Sequence, residues 1–441
     1  MLDTSLDSRV RRTMLLSLFE GGLIQTFLNW TTGSVLIGYM LHYGANPTEI
    51  GLIASVPLLA QSSGPLAAWL AGFAGRVKPL IIGLGLTGRI LWIFGVFLPQ
   101  LPLADHLKVP FLIVLVAVSS FFQSSGGTLW AHWLGQVIPT ERRGRYFGFR
   151  TGVVGIVGMA TNLLAGWFLD RVAAPLNFQV VLGVGMICAF IGTSLLIWHY
   201  EPKLEQSKHS FKNILTLPFK DSNFRKFLIF ATYWQASVLI SAPFLIPYFL
   251  EHLKMSFTQI AIWSAIAAIT AMFTTTFWGR IADRMGNKAV LQIATFIAGS
   301  VMILSWIVAT PNNLWPIWFA AAIDAVVWGA VGPAMFNLAL GSAPKADRLP
   351  YIASFSMLTG IAGFLGGLLA GLIFPLLSFT NTTFWGYHWT AYQSIFVLSA
   401  LLRLQAWILV RPVAETNAWR ARDVLRQVRF GWRGMGFPWR S

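Results

Sequence analysis

The chain has 441 residues, of which 56% are apolar and only 11% charged, with 32 Lys and Arg against 16 Asp and Glu. A water-soluble domain cannot solvate so apolar a chain, so the composition implies a membrane. The net charge of +16 does not point to nucleic acid, because the basic residues gather in every second gap between apolar stretches, the pattern of a polytopic helical membrane protein.

Apolar stretches of the ~20 residues needed to cross the hydrocarbon core recur from Met14 to Val410. None shows the alternating ~10-residue segments of a membrane β-barrel. Spans are predicted near 14–42, 48–72, 79–99, 109–135, 146–168, 177–199, 227–250, 257–279, 288–309, 314–341, 351–378 and 392–410. The expected fold is an all-α membrane protein of twelve transmembrane helices in two pseudo-symmetric six-helix bundles, residues 14–199 and 227–411. Residues 1–13 are read as a cytoplasmic N-terminus, 200–226 as a cytoplasmic linker and 412–441 as a basic cytoplasmic tail, rich in Trp and Arg, that touches anionic lipid headgroups. Arg9, Arg11, Arg12, Arg76, Lys78, Arg142, Arg143, Arg145, Arg280, Arg284, Lys288, Lys345 and Arg348, with the linker and tail bases, mark one side; the other holds Lys108, Arg171 and Lys254. Both termini are thereby assigned to the cytoplasm, in a cytoplasmic membrane of bacterial type. The segment after Arg12 runs on to about Leu41, too long for a signal-peptide core, and Cys188, the sole cysteine, excludes a disulfide within the chain.

Within the spans, each charge needs a partner or a task, since an ion at mid-bilayer costs ~2.5–3.5 kcal/mol even on the lenient insertion scale. Span one carries Glu20 and a stripe of Gln25, Asn29 and Thr32. Asn29 lies about 180° around the helix from Glu20 at ~100° per residue, so the stripe is expected to face a cavity and Glu20 a partner such as Arg150 or Arg89. Arg89, mid-span in span three, is read as a partner for an acid, while Arg150 in span five and Arg403 in span twelve are read as structural cations able to reach the cytoplasmic surface. Gln123 and Trp130 share a face of span four, and Gln235 interrupts span seven; these are candidate cavity groups. Asp324 stands ~15 Å into span ten, with Trp328 one turn on as an aromatic platform, and is the leading candidate for binding a proton or a cationic group. Gly360, Gly363, Gly366, Gly367 and Gly371 of span eleven are read as helix-packing positions.

The two halves repeat: Pro139, Arg143, Tyr146, Gly155 and Gly166 fall on Pro344, Arg348, Tyr351, Gly360 and Gly371 without a gap. Duplicated six-helix halves that rock about a midplane site are how many secondary transporters are built.

Between spans eight and nine, Gly279-Arg280-Ile281-Ala282-Asp283-Arg284-Met285-Gly286-Asn287-Lys288 resembles the cytoplasmic signature loop of the major facilitator superfamily, G-x-x-x-D-R-x-G-[RN]-[RK]. The resemblance covers about residues 10–412, although the matching loop of the first half, Gly72 to Lys78, is shortened and lacks the Asp. It implies that Gly279, Asp283, Arg284, Gly286 and Lys288 form a gating loop that docks on the opposite bundle near Arg143–Tyr146, with Asp283 as the anion at a helix N-terminus. It also implies that span ten lines the central cavity. The basic residue in span four and Gly-Pro pair in span five of proton-linked drug antiporters are missing, as is the Pro-Glu-Ser-like motif of sugar porters after span six, where Glu201-Pro202-Lys203 stands.

The functional expectation is a secondary transporter, symporter or antiporter, that moves a small organic solute by alternating access, with protons as the candidate coupling ion. A membrane sensor or assembly protein on the same fold is the alternative. No His-Glu-x-x-His, Gly-x-Ser-x-Gly or phosphate-binding loop is found, so the chain is not read as an enzyme or an ATP-driven pump, and no cofactor or metal is expected. Its expected partners are the solute and the lipid bilayer, with the chain acting as a monomer.

Overall fold

The computed structural model describes residues 7–64, 66, 69, 76–201, 216–343, 348–384 and 387–415. Span one is Ser8–Thr32, broken at Gly33 and continued by Ser34–His42; span two begins at Pro47–Ala60; span three is Lys78–Ile90 and Trp92–Val96. Spans four to six are Asp105–Val137, Thr140–Leu169 and Leu176–Leu195. Span seven starts at Ser222–Leu239, and span eight is Phe257–Met285. Span nine joins Asn287–Ile297 to Ile303–Ile307 through a π turn, and spans ten to twelve are Trp315–Ser342, Arg348–Leu376 and Ala391–Leu409. Ten helices among the described residues are long and apolar enough to cross a membrane. The linker at 202–215 and the tail at 416–441 lie outside the described residues.

Local chemistry sets the helix ends. Span two opens with a capping box of Asn46 and Glu49 and with Pro47 at its first position; span eight opens with Ser256 and Gln259, and span twelve with Thr390 and Gln393. The helical fold carries one small addition. Before span twelve, Thr382–Phe384 pairs antiparallel with Tyr387–Trp389, a small hairpin at the membrane edge where a polar loop can close its own backbone hydrogen bonds.

The halves meet along two seams. Span eleven lies on span two through glycines: a side chain on Gly51 would meet the backbone of Gly367 and Gly371, and one on Gly371 would meet that of Thr48. Thr48 Oγ1 donates to the carbonyl of Gly371 at 3.2 Å. Span five crosses span eight at Gly166, where a Cβ would stand 2.7 Å from the carbonyl oxygen of Phe257. Such contacts hold helices by close backbone approach, the mode available where lipid removes the hydrophobic drive. Both seams lie toward the face opposite the one that carries Arg76, Arg143 and Lys288, called the basic face below. The structure is closed on that opposite face.

At the basic face the two halves repeat one device. The carboxylate of Glu201, just after span six, accepts from the amides of Val77 and Lys78 at 3.0 and 2.9 Å, at the N-terminus of span three. The carboxylate of Glu415, just after span twelve, accepts from those of Asn287 and Lys288 at 2.9 and 2.8 Å, at the N-terminus of span nine. An anion there satisfies orphan amides and the positive end of the helix dipole.

Candidate functional site

The polar groups of spans one, three, four and five converge on a cavity of about 230 Å³ in the N-terminal half, walled by Glu20, Gln25, Arg89, Gln123, Trp130 and Arg150. Glu20 is 5% exposed. Its Oε2 accepts from Arg150 Nη2 at 3.1 Å, while Arg150 Nε donates to the carbonyl and hydroxyl of Ser17 at 3.1 and 2.9 Å. The Arg150 guanidinium also lies 4.4 Å from the centroid of Trp130, a cation–π contact that fixes the indole. Close approach here depends on Gly21, where a side chain would strike Arg150 and Val154.

Two sequence readings change at this point. Arg150 does not reach for the basic face, because a buried carboxylate within hydrogen-bonding distance is a better partner than water reached by a strained side chain. The stripe of span one is also divided. Glu20 and Gln25 both wall the cavity, whereas Asn29 accepts from Gln25 at 2.7 Å and donates to the carbonyl of Gly158 at 3.3 Å, tying span one to span five. Thr32 donates to its own helix at Leu28. The cavity sits nearer the basic end of span one than the stripe assumed, so its far members meet span five and their own backbone.

Arg89, 9% exposed, donates to Thr193 Oγ1 of span six and makes no ion pair among the described residues; Glu20 is the acid whose charge it feels. Gln123 donates to Ser119 Oγ at 2.8 Å. Arg89 Nε, Gln123 Oε1 and Trp130 Nε1 are buried with no hydrogen-bond partner, and all three residues wall the cavity.

The C-terminal half holds a second polar centre, away from this cavity. Asp324 is half-buried, and its Oδ1 accepts from Trp328 Nε1 at 3.0 Å, one helical turn away. Trp328 is 38% exposed and packs 6.2 Å from Trp234 of span seven. The base nearest in effect is Arg403, but no ion pair joins it to Asp324. Arg403 is only 1% exposed, donates to Ser241 Oγ at 3.0 Å and reaches the Ala298 carbonyl, which the π turn of span nine presents, at 3.5 Å. It therefore does not extend to the basic face; the carbonyls and hydroxyl around it replace water. Gln235 packs on Gly363 of span eleven and makes no hydrogen bond among the described residues.

The gating loop stands apart. Asp283 and Arg284 are exposed, Gly286 takes a φ of 93° that favours glycine, and the anion at the N-terminus of span nine is Glu415, not Asp283. Arg143 and Tyr146, the expected docking partners, are engaged in their own half, donating to the carbonyls of Ile138 and Met14 at 2.9 and 2.8 Å. Glu201 and Glu415 escaped the sequence reading, although two of only 16 acids standing directly after the last span of each half were a usable signal.

Comparison with known proteins agrees with this architecture. Residues 18–366 and 227–440 match the family model described as Major Facilitator Superfamily. The class H tetracycline resistance protein of Pasteurella multocida is 23% identical over 349 residues, covering 76% of this chain and 79% of that protein. The crystal structure of the nucleoside transporter NupG superposes with a TM-score of 0.68 at 14% identity, covering 92% of this chain and 99% of that one. A bacterial homologue of the human lysosomal transporter Spinster, inward-facing and unoccupied, gives 0.63 at 12% identity, covering 96% and 99%.

Proposed function

Because this chain belongs to the major facilitator superfamily, we propose that it couples solute movement to protons through Asp324. The chain is a multi-pass membrane protein and a secondary transporter of a small solute by alternating access; the sensor alternative is not favoured. The observation that carries the coupling reading is a carboxylate within span ten that has one hydrogen bond, from Trp328, and no ion pair among the described residues. A carboxylate so placed changes its proton affinity with its solvation, so it can load and unload as the bundles rock. We place both termini in the cytoplasm of a bacterial inner membrane, with residues 14–199 and 227–411 as the rocking bundles of a monomer. The tetracycline relative is too distant to lend its drug to this chain.

The test is uptake of radiolabelled solutes into proteoliposomes with and without an imposed pH gradient. Asp324→Asn keeps the volume and the bond to Trp328 while abolishing titration. Gradient-driven accumulation should stop while folding is spared. A structural role predicts instead that melting temperature falls with transport, and an Asn variant that accumulates solute at the wild-type rate over the acidic to neutral range overturns the proposal.

A further inference from the structure

The charges inside the N-terminal half do not balance. Glu20 is one anion, already paired with Arg150 at 3.1 Å. Arg89 is a second cation, buried, and among the described residues it donates only to a neutral hydroxyl. A surplus cation at that depth is costly unless something periodically neutralises it. The cavity beside it supplies the room, and its unused hydrogen-bonding atoms describe the guest: two donors, Arg89 Nε–H and Trp130 Nε1–H, and one acceptor, Gln123 Oε1.

We propose that this cavity binds the carboxylate of a small organic acid, with Arg89 as its counter-ion. The inference rests on the chain being a transporter and names the class of solute. A guanidinium matches a carboxylate because both are planar and its N–H groups project in fixed directions toward the oxygens. Trp130, whose Nε1–H is buried without a partner, walls the same cavity and offers a further donor once a solute is seated, and Gln123 Oε1 accepts from a hydroxyl or amine on that solute. Glu20 cannot serve as the anion instead, since Arg150 already occupies it and Ser17 orients that arginine. The volume of about 230 Å³ lies below the ~300–1,000 Å³ of drug-sized pockets, so the guest is a single-ring or short-chain acid.

Benzoate, benzamide and benzamidinium share one shape and carry charges of opposite sign or none. Binding of each to the purified full chain in detergent, by tryptophan fluorescence and thermal shift, separates charge from fit and needs no ion gradient. Benzoate should bind saturably, with benzamide and benzamidinium at least about tenfold weaker. Arg89→Gln should weaken benzoate about tenfold to a hundredfold, the scale of a charge-assisted contact, and Arg89→Lys should restore part of it. If Arg89→Gln does not fold, Gln123→Glu decides, because it places a carboxylate in the same cavity and should abolish benzoate binding. Absence of benzoate binding, equal binding of the three probes, or wild-type benzoate affinity in the folded variants overturns the proposal. Benzoate bound without any gradient-driven uptake would count against the coupling role of Asp324 alone, whereas Asp324-dependent uptake of a neutral or cationic solute with no benzoate binding would count against this inference alone.

Discussion

The carboxylate of Asp170 caps the backbone amide of Thr258 across the boundary between the two halves. Oδ2 accepts from Thr258 and Oδ1 from Phe257, each at 2.8 Å, so the end of span five supplies the anion for the start of span eight. The closed face is thus held by a helix cap whose two parts belong to different bundles, and it breaks whenever those bundles separate.

Asp170→Ala should therefore shift the molecule toward opening on that face. A lost cap is worth about 0.5–2 kcal/mol, or roughly a twofold to thirtyfold change in the ratio of states. With Cys188→Ala as a cysteine-free background, Asn162→Cys reports from the small pocket beside this seam. Its labelling by an impermeant maleimide added on the side opposite the basic face should rise by that factor. An unchanged rate would show that the glycine seams alone keep the face shut.

Those seams make a second prediction. A side chain on Gly51 has no room, since the backbone of Gly367 and Gly371 already fills that space. Gly51→Leu should prevent closure of this face and abolish flux, with the same maleimide reporter raised well beyond the effect of Asp170→Ala. Stability should change little, because a state with the halves parted leaves that side chain free. Flux near wild type would mean that the seam opens and reseals around a larger residue.

Span positions were legible because ~20 apolar residues in a row allow little else, and the basic residues in alternate gaps gave an expected orientation. The grouping of Gln25, Gln123 and Trp130 around one cavity was partly legible, since polar residues inside spans are rare enough to seek each other; Glu20, expected to face a partner and not the cavity, walls it as well. The partners were harder to read. Helical spacing could not tell whether Glu20 would meet Arg150 or Arg89, a choice made by the close approach of spans one and five at Gly21. Nor could spacing reveal that Glu415 would occupy the helix end expected of an anion in the loop, because that contact joins residues 128 positions apart in the chain.

This exchange of roles separates two acids on the basic face. Glu415→Gln removes the charge from a carboxylate bound to two backbone amides and the Asn287 side chain, and should cost about 1–2 kcal/mol, seen as a lower melting temperature. Asp283, exposed and without a hydrogen bond or ion pair among the described residues, should tolerate Asn within about 0.5 kcal/mol. If Asp283 instead closes the basic face in the other state of the cycle, its Asn variant will show raised maleimide labelling of a cavity cysteine from that side, with melting unchanged. Equal losses of stability in the two variants would erase the distinction.

The most discriminating stability measurement concerns the three charges around the N-terminal cavity. Glu20→Gln leaves Arg150 and Arg89 both without an anion, and breaking a buried pair in this way typically costs about 3–5 kcal/mol. Arg89→Gln in the wild-type chain removes a cation that Glu20 only feels at a distance, at the expense of one hydrogen bond to Thr193, or about 1 kcal/mol. Once Glu20 is neutral, that sign should reverse. With no anion left beside the two cations, deleting Arg89 relieves its repulsion with Arg150 and the burial of an unpaired cation. The double variant Glu20→Gln/Arg89→Gln should accordingly melt above the single variant Glu20→Gln, while Arg89→Gln alone melts at or slightly below wild type. If the two substitutions simply add, Arg89 is not part of the electrostatic unit, and the charge surplus assigned to this cavity is compensated elsewhere.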